Sequence, residues 1–188
     1  MKKTVKQLRE RIEAICRELK LPAMASAYMQ QCKTPVSDSM PFDERLAALL
    51  EQEKLSRWHK RQLRNLKNAR MPQAQMARLE NIDWKPSRGL NKGQIEALCD
   101  CSWLEAERKP WVVIHGVTGV GKSFLAKTLT YEACMKGYSA LYFRQTELQA
   151  EIESARSGGR IISYRKSLMS KQLLVIDDFG IEKMDDWM

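Results

Sequence analysis

The sequence predicts an α/β fold in which a parallel-sheet core follows an all-helical region, and three observations carry that prediction. The apolar run Val112, Val113 and Ile114 reads as a buried parallel strand. It stops at a glycine-rich loop that opens directly into a helical pattern, Phe124, Leu125 and Leu129. A further apolar run, Leu173 to Ile176, ends in two acids, Asp177 and Asp178.

Gly116, Val117, Thr118, Gly119, Val120, Gly121, Lys122 and Ser123 fit G-x-x-x-x-G-K-[ST], with an additional glycine at 119. Glycines let the backbone turn its N–H groups inward and approach a phosphate without an intervening Cβ, and the N-terminus of the following helix adds partial positive charge. Lys122 is expected to reach the β and γ phosphates of ATP, and the Ser123 hydroxyl to ligate Mg²⁺. The plainer alternative is an ordinary glycine turn, against which the strand and helix flanks weigh.

Apolar residues ending in an acid, downstream of such a loop, form the second half of a phosphate-loop ATPase site. Asp177 is then the metal residue beside Ser123, and Asp178 orients or deprotonates the attacking water. A buried strand with a polar cap is the rival reading, and it loses weight beside the loop. Lys122 and Asp178 are thus the catalytic candidates, in a site that works by positioning and charge neutralisation. Arg144, Arg156, Arg160 and Arg165 are available to compensate charge on the γ phosphate, and nothing in the sequence singles one out.

The 188 residues suffice for one ordinary domain or two small ones. The 32 Lys and Arg against 23 Asp and Glu give a net charge of +9 and a pI near 9.4, a surplus that favours a polyanionic partner. No apolar run reaches membrane-spanning length and the Met-Lys-Lys start leads into charged sequence, so a cytoplasmic protein without a membrane partner is expected. Five cysteines, Cys16, Cys32, Cys99, Cys101 and Cys134, make no C-x-x-C pair and read as reduced thiols.

In front of the core, Val5, Leu8, Ile12, Ile15 and Leu19 mark an amphipathic helix over residues 4 to 19. Pro22 restarts the chain after Leu21, Ala23 to Gln31 makes a second short helix, and a polar segment from Lys33 to Ser39 follows. A third helix begins near Pro41 and continues to about Ala69, with Pro72 as its break. From Lys54 to Leu79 there is no acid, and Arg57, Lys60, Arg61, Arg64 and Lys67 recur at helical spacing. Such a strip suits phosphate contacts along double-stranded DNA and carries no base code; a solvated helix face is the bland alternative.

Ile82 to Leu90 reads as a linker. Asn91 caps a short helix through Leu98, Ser102 to Arg108 makes another, and Pro110 introduces the first strand. Ser139 to Phe143 is a second strand, Thr146 to Ala155 and Ile161 to Ser170 are helices about a turn at Ser157 to Gly159, and Leu173 to Ile176 is the third strand. The expected division is 1–82 as a helical DNA- or partner-binding domain, 83–110 as linker and lead-in helices, and 111–188 as a partial ATPase core.

The order RGLNKGQIEALCDCSW, GVTGVGKSFLAKTL, ALYFR and LLVIDDFG, preceded by PFDERLAALLEQEKLSRWHKRQLRNLKNAR, resembles the IstB-like helper ATPases of bacterial insertion sequences and, more distantly, the DnaC-type helicase loaders. The resemblance spans nearly the whole chain. It implies an AAA+ three-layer core that binds ATP and Mg²⁺, assembles with further copies of itself on DNA and helps a transposase select its target. Asp178 stands where many AAA+ relatives have Glu, which bears on the rate of hydrolysis. The family continues past the position of Met188 through further strands, a sensor residue, an inter-subunit arginine and a helical lid. By resemblance, then, the core is expected to be incomplete at its C-terminus. A helicase-loading adaptor and an inactive remnant are the alternative functions.

Overall fold

The computed structural model describes residues 4–34, 39–72, 77–85, 89–108 and 110–180. Part of the expected polar segment from Lys33 to Ser39, part of the linker around Pro86, and residues 181–188 lie outside the described residues. The chain divides into two compact units, Met1–Lys60 and Arg61–Met188, and the division falls inside one long helix.

The first unit holds α1 (Val5–Glu18), α2 (Pro22–Gln31) and the first part of α3 (Phe42–Asn68). Thr4 caps α1, its amide donating to Gln7 Oε1 at 3.0 Å, and Pro22 sits in the first turn of α2, where no partner for its missing N–H is needed. Glu53 of α3 is buried, and its Oε2 accepts from the amides of Ala23 (2.9 Å) and Met24 (3.1 Å), placing negative charge at the positive end of α2. Arg57, one turn on, donates Nε to Glu53 Oε1 at 2.9 Å and Nη2 to the Lys20 carbonyl at 2.9 Å. Burial pushes the Glu53 carboxyl up, but the hydrogen bonds from Arg57 and the two amides outweigh it and hold the group below its usual range.

The second unit has three layers. Strand β1 (Ala140–Arg144) pairs in parallel with β2 (Leu173–Asp177), in a register that puts Tyr142 beside Val175 and Arg144 beside Asp177. Side chains alternate across the sheet. Tyr142 faces helix α5 (Lys122–Met135) and packs with Ala126, whereas Leu141 and Phe143 face α6 (Gln145–Ser157) and α7 (Ile161–Met169), packing with Leu148, Ile152, Tyr164 and Leu168. Sequence and structure agree on these elements to within a residue or two. Asn91 caps α4 (Lys92–Asp100) as expected, its Oδ1 accepting from the Gln94 amide at 3.1 Å.

The end of α3 belongs to this second unit. Asn65 is buried and donates Nδ2 to the carbonyls of Gly137 and Tyr138, each at 2.9 Å, fixing the turn that leads into β1. Just past the helix, the Ala69 carbonyl accepts from the Tyr142 amide at 2.9 Å and so occupies part of the free edge of β1. Arg70 pairs with Glu151 and lies over the Phe143 ring at 5.4 Å. Together these contacts tie the outer edge and the α6 face of β1 to the same short segment.

Two expectations are corrected. Residues 112–114 form no strand: among the described residues the only ladder is β1 with β2, and Val113 is 79% exposed. Only Ile114 of the run packs inward, against the groups around Leu129 and Tyr142. An apolar run reports a tendency to be buried, but a strand also needs a neighbouring backbone, and none of the described strands supplies one. The helix expected from Ser102 to Arg108 is a single 3₁₀ turn, Ser102–Glu105, which Ala106 ends in extended backbone. Among the described residues no helix is long and apolar enough to cross a membrane.

The described cysteines are free thiols, with Cys16, Cys99, Cys101 and Cys134 buried. Burial pushes the Cys99 thiol up to about 12 and those of Cys101 and Cys134 up to about 11, leaving them protonated packing groups. No group of His, Cys, Asp and Glu suited to holding a metal by itself occurs among the described residues.

Candidate functional site

The loop of residues 116–121 runs straight into α5, so the first amides of the helix face it. Gly119 (φ +83°) and Gly121 (φ +96°) adopt left-handed conformations that an L side chain resists, and Gly121 is the N-cap residue of α5. Lys122 opens the helix and folds back over the loop, donating Nζ to the carbonyls of Gly116 and Val117 at 2.9 Å each. Val117 and Val120 are exposed, as is Thr118, so the loop presents its backbone to solvent on one side.

One position along, Ser123 Oγ donates to Asp177 Oδ1 at 3.0 Å. This bond joins the start of α5 to the end of β2, bringing the two metal candidates together. A hydroxyl and a carboxylate are hard oxygen donors, the set that Mg²⁺ takes alongside phosphate oxygens, so the residues present fit that ion. Asp178 follows in left-handed backbone (φ +56°) and is exposed. The loop beyond it is held by the Gly180 amide, which donates to Oε1 of the buried Gln145 at 2.5 Å.

Sequence reasoning does not single out Tyr142. Its hydroxyl donates to Asp177 Oδ2, so both carboxylate oxygens accept from hydroxyls. Burial, then the hydrogen bond to Asp177, pushes the Tyr142 hydroxyl far above the ordinary phenol range, and it is a proton donor at any physiological pH. The Lys127 ammonium, one turn of α5 beyond Ser123, lies 5.8 Å from the Tyr142 ring centre. The signal in the sequence is weak: alternation in ALYFR puts Tyr142 on one face, but only the register with β2 shows that this face carries Asp177.

The cationic residues of α3 are divided between the units. Arg57 and Lys60 belong to the first, Arg61, Arg64 and Lys67 to the second. All five are exposed, but they are not equivalent. Arg57 is bonded to Glu53 and to the Lys20 carbonyl of its own unit, which sets it apart from the other four. Among the described residues Lys60, Arg61, Arg64 and Lys67 make no ion pair.

Comparison with known proteins places this geometry in a family. The family model described as IstB-like ATP binding protein matches residues 14–187. The chain is 34% identical over 169 residues to the insertion sequence IS1162 ATP-binding protein of Pseudomonas fluorescens, covering 90% of this chain and 72% of the relative. It is 32% identical over 171 residues to the insertion sequence ATP-binding protein y4uH of Sinorhizobium fredii, covering 91% and 67%. The insertion sequence IS5376 ATP-binding protein of Geobacillus stearothermophilus is 24% identical over 178 residues, covering 95% and 69%. With the glycine loop, its lysine and the Ser123–Asp177 pair carried on a parallel strand and helix, the chain belongs to the family of IstB-like ATP-binding proteins.

Proposed function

We propose that this protein is an ATP-dependent helper of DNA transposition, binding ATP through residues 116–123 and Mg²⁺ through Ser123 and Asp177. The hydrogen bond between Ser123 and Asp177 carries the reading, because it brings the hydroxyl that follows the loop lysine and the acid that ends β2, far apart in sequence, to one point. The names of the relatives, all insertion sequence ATP-binding proteins, support the biological setting.

When bound, Mg²⁺ supplies charge neutralisation on the phosphate oxygens. The chain's own residues do the rest. Amides of the loop and of the first turn of α5 would hold the phosphates, Lys122, which donates to the Gly116 and Val117 carbonyls, would pair with phosphate oxygens, and Ser123 and Asp177 would hold the ion. Asp178, exposed at the strand end, would orient the attacking water. Residues 111–188 would form the ATPase part, 83–110 the connection and 1–82 the DNA- or partner-binding part. Within the last, Lys60, Arg61, Arg64 and Lys67 are the phosphate contacts on double-stranded DNA.

Pull-down of the protein from cells carrying an insertion sequence, with and without ATP, tests the setting. ATP-dependent recovery of the transposase of the same element together with duplex DNA is expected, and recovery of a replicative helicase in its place would overturn it.

A further inference from the structure

The hydroxyl of Tyr142 covers one oxygen of Asp177 and leaves the other to Ser123. Tyr142 is itself buried, and its ring is wedged between Ala126 of α5, Met71 and Val175 of β2. The hydroxyl therefore has little freedom to swing away from the carboxylate. Its backbone is pinned as well, on one side by the ladder to β2 and on the other by the Ala69 carbonyl. Lys127 over the ring draws electron density from the phenol and strengthens its O–H as a donor. No part of the proposed nucleotide chemistry requires this arrangement.

We propose that Tyr142 is a positioning residue that makes Asp177 a one-oxygen partner for the cation and so selects Mg²⁺ over Ca²⁺. Mg²⁺ demands a tight octahedral shell in which a carboxylate contributes one oxygen, whereas Ca²⁺ takes six to eight oxygens and gains from both oxygens of a carboxylate. With Oδ2 held by Tyr142, Oδ1 is the oxygen left on the Ser123 hydroxyl. Asp177 then suits the smaller ion and denies the larger one its second oxygen. Groups that orient a metal's ligands act on affinity and selectivity without touching the ion.

The inference rests on the nucleotide-site reading, and the test separates the two. Binding of a fluorescent ATP analogue is followed by anisotropy while Mg²⁺ or Ca²⁺ is titrated, in the wild type and in Tyr142→Phe, which keeps the ring and its packing. The wild type is expected to respond to Mg²⁺ at a concentration at least about tenfold below that for Ca²⁺. In Tyr142→Phe the ratio of the two half-saturating concentrations is expected to fall about tenfold, with metal-free binding of the analogue unchanged. A variant that weakens both ions alike, or neither, would leave Tyr142 a packing residue and overturn the proposal. So would a wild type that responds equally to the two ions, a result that needs no variant to fold. Analogue binding that ignores both ions and survives Lys122→Ala would remove the nucleotide site itself, and Tyr142's role with it.

Discussion

Ser123 and Asp177, fifty-four residues apart in sequence, meet in a 3.0 Å hydrogen bond that links the first turn of α5 to the last residue of β2. Each residue is placed by a different layer of the second unit, so the pair registers the helix against the sheet as well as assembling oxygen donors. If the two act together on one ion, their removals cannot be independent. In a double-mutant cycle with Ser123→Ala and Asp177→Asn, the losses of Mg²⁺-dependent nucleotide affinity should fall short of additivity by about 0.5–3 kcal/mol. Additive losses would mean that the two side chains serve separate purposes.

Lys122 gives up no buried partner when it is removed, because its contacts are loop carbonyls facing solvent. Lys122→Ala should therefore leave the melting temperature close to that of the wild type and lower nucleotide affinity by roughly 10- to 100-fold, the range for losing a charge-assisted hydrogen bond. Differential scanning fluorimetry with and without ATP reads both quantities, and a large drop in stability without nucleotide would argue for a structural lysine.

Glu53 makes a pH-dependent contribution in the first unit. Its carboxyl is held below its usual range by Arg57 and two α2 amides. A carboxyl whose value is lower folded than unfolded stabilises the fold fully above the unfolded value, about 4.3, and loses that contribution as pH falls through the folded one. Glu53→Gln should cost about 1–3 kcal/mol at pH 7, and urea unfolding should show the gap to the wild type closing as the solution is acidified below about pH 4. A gap that is constant with pH would show that the charge contributes nothing.

Much of this was legible along the chain because the requirements are local. The glycine positions, Lys122 and Ser123 answer to one turn of backbone, and Asp177 to the end of one apolar run. Helical spacing likewise marks α1 and α3 to within a few residues. What the sequence hid depends on a partner from elsewhere. Tyr142 acquires its role only through the β1–β2 register. Arg57 has the same spacing as Arg61 and Arg64, yet Glu53 and the Lys20 carbonyl claim it. Val112 and Val113 have a strand's composition and lack a neighbouring strand among the described residues. The end of α3 packs in the second unit, through Asn65 and Ala69, although its sequence reads as one helix from Phe42 onward.

The distinction among the α3 cations can be measured. Arg61→Glu with Arg64→Glu should weaken duplex DNA binding and reduce the slope of affinity against salt by about 0.9 for each phosphate that is no longer neutralised. Arg57→Ala should instead destabilise the first unit, since it leaves Glu53 buried without its cation. Fluorescence anisotropy across a salt series, paired with thermal melts, separates the two. An unchanged salt slope in the double variant would dispose of the DNA contact.

Asn65 offers a purely structural control. Asn65→Ala would strip the carbonyls of Gly137 and Tyr138 of their donor and should cost about 1–3 kcal/mol, seen in urea unfolding.

The most direct test of the central claim is calorimetric titration of ATP into the full chain in Mg²⁺ and in EDTA, for the wild type and Asp177→Asn. The account predicts that Mg²⁺ tightens ATP binding to the wild type at least about tenfold and that Asp177→Asn abolishes this gain. Equal affinity in Mg²⁺ and EDTA, or a gain that persists without the carboxylate, would contradict it.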